Sequence, residues 1–172
     1  MGLGFYSGPL FMPSCALTRL CYGRQMPKPP LPKIYCDVHI KPGAIEGFTK
    51  QMFKCIHIPK SKYRELDERD FIGYLYAENA LLATGDLTFT KHVLDNNVKR
   101  AGIIEIPPEY DNEEAAAYAE LLAKFVAVYI EDDGKHAWRR RIIYLAHDGV
   151  TIIHNTGDEH RYSWEELRQA VR

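Results

Sequence analysis

The chain has 172 residues, 46% hydrophobic and 26% charged, with a formal net charge of −1. That length suits one domain with a core of its own, the composition is ordinary for a globular protein, and the charge balance excludes both a polyanion mimic and a generic polyanion binder. The sequence contains no run of the ~18 apolar residues that a membrane-spanning helix needs.

Charge is unevenly spread. Residues 1–60 hold eight Lys/Arg and two Asp/Glu, and residues 61–172 hold fourteen and twenty-one. A basic first third and an acidic remainder either dock on each other or offer a basic arm to an acidic partner. Residues 1–32 contain six of the ten prolines. They read as an extended basic arm, with Met26 to Pro32 in polyproline II. Gly4, Gly8, Pro9 and Pro13 interrupt the apolar N-terminus, so it makes a poor signal peptide. Tyr6 breaks the myristoylation motif that Met1-Gly2 would open. With no Asn-x-Ser/Thr sequon either, a cytoplasmic protein is expected.

A single domain is expected over 33–172. Ile34, Cys36, Val38 and Ile40 alternate with polar residues, which predicts a half-buried strand ended by Pro42-Gly43. Gln51 to Ile58 reads as a second strand. Phe71, Tyr74, Leu75, Ala77, Leu81 and Leu82 recur at helical spacing, which predicts a helix over 65–83 closed by Gly85. Leu87 to Val93 and Val98 to Ile106 suggest a hairpin around Asp95-Asn96-Asn97. Asp111 is an N-cap candidate, and Glu113 and Glu114 favour the dipole of the helix that follows. The run from Phe125 to Ile130 either continues that helix or forms a strand turning at Asp132-Asp133-Gly134. The absence of a breaker at its start favours the helix.

The C-terminal third reads as an antiparallel meander. Its β-branched runs are separated by Asp148-Gly149 and Asn155-Thr156-Gly157, residues that tolerate tight turns. Ser163 and Glu166 form a capping-box pair for a short last helix. The expected fold is therefore α+β: an antiparallel sheet of about five to seven strands against two main helices, a short C-terminal helix and an extended N-terminal arm.

Three groups of residues could carry function. His147, Asp148, His154, Asp158, Glu159 and His160 offer nitrogen and oxygen ligands to a divalent metal. A strand separates His147 from His154, so those two cannot share an ion. A three-residue loop at 155–157 pairs His154 with Asp158 and brings His160 to the same face, while a two-residue loop turns His160 away. His154, Asp158 and His160 are thus the candidate catalytic and metal residues. Lys135, Trp138, Arg139, Arg140 and Arg141 combine cations with an indole, a pairing that suits single-stranded nucleic acid. Arg24, Pro27 and Pro30 fit the basic-x-x-P-x-x-P pattern read by aromatic grooves. Eleven tyrosines supply core-edge or partner contacts. Cys36 and Cys55 lie in strand-like runs as buried thiols or a disulfide, and Cys15 and Cys21 complete no metal spacing.

The sequence carries no nucleophile elbow, phosphate-binding loop, dinucleotide fingerprint or H-E-x-x-H. The leading expectation is a small soluble non-enzymatic binding or regulatory protein acting on a protein partner, of the inhibitor, immunity or assembly-accessory type, with no cofactor. A metal-dependent hydrolase at the C-terminal hairpin is the first alternative, and single-stranded nucleic-acid binding through Lys135–Arg141 the second. A homo-oligomer stays open.

Overall fold

The computed structural model describes residues 30–58, 68–86, 101–134, 136–154 and 156–172. In chain order the elements are β1 (Ile34–Cys36), α1 (Pro42–Lys50), β2 (Cys55–His57), α2 (Glu68–Ala77), β3 (Leu81–Thr84), β4 (Gly102–Glu105), α3 (Asn112–Asp133), β5 (Ile142–Ala146), β6 (Gly149–Ile153), β7 (Glu159–Ser163) and α4 (Trp164–Ala170). One seven-stranded sheet runs β2-β1-β3-β4-β5-β6-β7.

The sheet is mixed, which corrects the antiparallel expectation. β1 pairs parallel with β2 and β3, β3 with β4, and β4 with β5. Only β5–β6 and β6–β7 are antiparallel, as the meander reading had them. The physical reason lies in burial. Parallel strands are covered on both faces and read as short apolar runs without alternation. All four residues of Leu81-Leu82-Ala83-Thr84 are buried, as are all four of Gly102-Ile103-Ile104-Glu105.

Helices cover both faces. Ala44 and Phe48 of α1, Ala115, Ala119, Leu122 and Val126 of α3, and Trp164 and Leu167 of α4 pack against Cys36, Ala83, Ile104, Ile143 and Ile152. Ile72 and Leu75 of α2 pack on the opposite face against Leu82, Ile103 and Ile142.

Several local readings change. The strand expected up to Ile40 stops at Cys36, because the chain turns there and the Ile40 N–H bonds the Asp37 carbonyl. The strand expected over 51–58 shortens to Cys55–His57, since Gln51 and Met52 turn out of α1. Helix α1 was not expected. Pro42 fits its first turn because that position needs no N–H donor. Its glycines permit a close approach: a Cβ on Gly47 would stand 2.3 Å from the Ala116 carbonyl oxygen of α3. The helix expected over 65–83 ends at Ala77, since Asn79 adopts a left-handed φ of 53°. Leu81–Ala83 then form β3 instead of a fourth helical turn, and Gly85 caps no helix. The first strand and turn of the hairpin expected over 87–106 lie outside the described residues, and β4 pairs parallel with both its neighbours.

Helix α3 starts at a complete Asp111–Glu114 capping box and runs unbroken to Asp133, so Phe125–Ile130 is helix. Ser163 and Glu166 form the second capping box, at α4. Of the arm, Leu31 packs against the main core, Pro32 is buried and Pro30 is exposed.

Candidate functional site

Strands β2-β1-β3-β4-β5 are parallel in a doubly wound order. From β1 the chain adds β2 on one side, then crosses to place β3 on the other. Such a reversal leaves a crevice beyond the carboxyl ends of the two strands, where ligands bind in open α/β sheets. Asp37 directly follows β1, and Thr84 closes β3.

Register places these two on a longer polar rung. Cys36 lies opposite Ala83, so Asp37 stands beside Thr84. Thr84 is opposite Glu105, and Glu105 opposite Tyr144. The rung continues through Thr151 to Arg161. Alternation puts all of them on the α2 face of the sheet, because Ala83 and Ile104 point to the other. Asp37, Thr84 and Glu105 are 0%, 0% and 6% exposed, and they are the buried polar side chains among the described residues. All three therefore share one rung, at the carboxyl ends of three adjacent parallel strands.

The rung is held by specific bonds. The backbone N–H of His39 donates to Asp37 Oδ1 at 2.8 Å. The Thr84 hydroxyl donates to Asp37 Oδ2 in a short bond. The same hydroxyl oxygen accepts from the Asp86 N–H at 3.0 Å. Thr84 thereby orients the Asp37 carboxylate and the Asp86 turn together. Only Glu78–Ala80 separate α2 from β3, so α2 runs back along the sheet and its first turn, with Asp70, lies toward the same carboxyl ends.

The sequence-derived candidates lie elsewhere. The loop after β6 has three residues: the His154 N–H donates to the Asp158 carbonyl at 2.9 Å, and Ile152 pairs with His160. The His154 and His160 rings come together, 4.9 Å between centroids. Burial, then the Arg141 and His160 charges, hold the His154 imidazole below its ordinary value, and Asp158 opposes them. The Thr156 hydroxyl holds Asp158 Oδ2 at 2.6 Å. Glu159 faces Arg161 at 3.6 Å on the exposed strand β7. His147 and Asp148 form the β5–β6 turn, one residue earlier than the Asp148-Gly149 turn expected, because Ala146 pairs with Gly149. His147 packs on Tyr110 at the opposite end of β6 from His154. Among the described residues no group of three His, Cys, Asp or Glu is placed to hold a metal ion.

Trp138, Arg139 and Arg140 lie in a turn before β5, and Arg141 directly precedes the strand. Trp138 is 3% exposed and donates its indole N–H to the Val126 carbonyl at 3.2 Å, so its ring faces the core. Arg139 bonds the Tyr76 carbonyl at 3.0 Å and lies over the Tyr76 ring at 4.4 Å. Arg141 lies near the Trp138 and Tyr129 rings. These cations coat aromatic surface at the amino ends of the parallel strands, away from the carboxylate rung. Lys135, Arg24 and Pro27 lie outside the described residues.

Cys36 and Cys55 are free thiols on adjacent strands. A hydrogen bond from Cys36, aided by Thr49, lowers the Cys55 thiol against the opposing effect of burial. The same contact, with burial, pushes Cys36 up.

Sequence reasoning missed Asp37, Thr84, Asp86 and Glu105. One local signal was available: the apolar run Leu81–Ala83 breaks at once into Thr84-Gly85-Asp86. No family model, curated protein or solved structure matches this chain. Among the described residues, no helix is long and apolar enough to cross a membrane.

Proposed function

We propose that the protein is a divalent-cation-dependent hydrolase of phosphate esters, working at the carboxyl ends of β1, β3 and β4. The observation that supports it is the burial of Asp37 and Thr84 at the strand-order reversal, with Glu105 beside them on the next strand. Buried carboxylates are costly unless they pair or coordinate a cation. This donor set is all oxygen, which suits Mg²⁺ or Mn²⁺ better than softer ions. The described carboxylates do not by themselves surround an ion. Mg²⁺ commonly keeps several waters and takes substrate phosphate oxygens beside one or two carboxylates, so phosphate esters fit as the substrate class.

An ion held by Asp37 and Glu105 would supply an acidified water and neutralise charge on the phosphate. The chain's own part is to present oxygens in a fixed direction. Thr84 and the His39 N–H hold both Asp37 oxygens, leaving their remaining lone pairs for the cation. Hydrolysis of bis(p-nitrophenyl) phosphate with Mn²⁺ or Mg²⁺ tests the reading. Turnover that needs the metal and disappears in Asp37→Asn and Glu105→Gln supports it. Equal turnover in folded variants, or none in wild type with either ion, overturns it.

A partner-binding regulatory protein is the second reading, and the opposite charge of residues 1–60 and 61–172 favours it. It predicts salt-sensitive capture of an acidic partner on gentle isolation from the native host, lost when 1–29 are removed. Capture unaffected by that deletion counts against the arm.

A further inference from the structure

The His154–His160 pair lies at the other end of the sheet and on its other face, and the carboxylate rung does not use it. Register brings it together. His154 follows β6 and stands across from Asp158, and His160 sits two residues on along β7, diagonal to His154 on the same face. His154 is half-buried and His160 exposed, so the pair opens to solvent on one side.

Two imidazoles bound cis to one ion, with metal–nitrogen bonds of about 2.1 Å, hold their ring centroids about 5 Å apart. The observed separation is 4.9 Å, with planes inclined at 67°. That spacing lets both rings reach one ion without moving the strands that carry them. We propose that His154 and His160 chelate one borderline divalent ion of the Zn²⁺, Ni²⁺ or Cu²⁺ class, clipping β6 to the edge strand β7.

The surroundings fit this ion class. Both donors are imidazole nitrogens, which suit zinc, nickel and copper and are poor ligands for magnesium. The groups facing His154 are Arg141, His160 and Asp158. The Asp158 carboxylate beside His154 would offset part of the cation's charge. No third His, Cys, Asp or Glu among the described residues completes the set, so water would have to fill the other positions. The ion would act as a clip with open coordination sites, and this inference does not depend on the hydrolase reading.

The test titrates the full chain with Ni²⁺ in a calorimeter and records the spectrum of one equivalent of Cu²⁺ by electron paramagnetic resonance. Wild type should bind one ion with two imidazole nitrogens in the Cu²⁺ spectrum. Binding should be lost in His154→Ala and in His160→Ala. It should survive in His57→Ala, an exposed histidine on β2, and in Asp37→Asn, which separates this ion from one at the carboxylate rung. His160→Ala changes an exposed position, so its fold is safe even where His154→Ala is destabilised. Several outcomes overturn the proposal: no stoichiometric ion in wild type, a single imidazole in the spectrum, binding retained in His160→Ala, or equal loss in His57→Ala.

Discussion

Thr84→Val probes how the buried Asp37 is tolerated. Valine has nearly the shape of threonine, so the change isolates the hydroxyl. That hydroxyl donates to Asp37 Oδ2 and accepts from the Asp86 N–H at 3.0 Å. A hydrogen bond to a charged group contributes about 1.5–3 kcal/mol, and the buried carboxylate oxygen left behind carries its desolvation cost. The Asp86 N–H is half-buried and can turn to water, so it adds less. The expected loss is therefore about 3 kcal/mol. In a chain of this size that lowers Tm by roughly 6–12 °C, at about 2–4 °C per kcal/mol. Thr84→Ser keeps the hydroxyl and removes one buried methyl, which costs about 1 kcal/mol. Urea unfolding of the three proteins gives both numbers, read from midpoints at unchanged slope. A valine variant that costs no more than the serine one would show that Asp37 does not depend on this bond.

Other consequences follow from particular contacts. Gly47→Ala should destabilise by about 3 kcal/mol or more, since its Cβ would meet the Ala116 carbonyl at 2.3 Å and α1 would have to lift off α3. Gly73→Ala, at an exposed helical site with nothing within 4 Å, should stabilise by about 0.5–1 kcal/mol, and thermal melts should show the opposite signs. The folded-state value of His154 is depressed, so its contribution is present above the ordinary histidine value of 6.5 and is lost as pH falls through that value toward the depressed one. His154→Ala should flatten the fall of the urea midpoint on the acid side of pH 6.5, and an unchanged slope would contradict that. Cys55 should alkylate with iodoacetamide faster than an ordinary thiol near neutral pH, and Cys36→Ala should slow it by removing the hydrogen bond that lowers it. Peptide mapping of the alkylated protein separates Cys55 from Cys36, Cys15 and Cys21.

Legibility followed the range of the determining contact. Both capping boxes are local, three residues from donor to acceptor, and Asp111–Glu114 and Ser163–Glu166 could be read directly. The β5–β6–β7 meander is also local, and only its first turn slipped by one residue. Helix α1 was hidden because Gly43 and Gly47 lower helix propensity, and the close packing on α3 that rewards them is 69 positions away. Leu81-Leu82-Ala83 suits either the end of a helical stripe or a buried strand. The left-handed Asn79 decides for the strand, and an asparagine in a polar stretch signals that only weakly.

The carboxylate rung marks the harder limit, and its invisibility has a physical cause. Asp37 and Thr84 are 47 positions apart and become neighbours only through the parallel register of β1 and β3. Each residue alone looks ordinary. Asp37 sits at a position that alternation assigns to the solvent side of β1, and that assignment assumes a sheet with one wet face. Once α2 covers that face, the same alternation buries the carboxylate instead. The parallel sheet and the buried carboxylates thus have one cause. A parallel sheet turns the outward row of an expected antiparallel strand inward, and its polar members become the costly buried groups on which a candidate site can be argued.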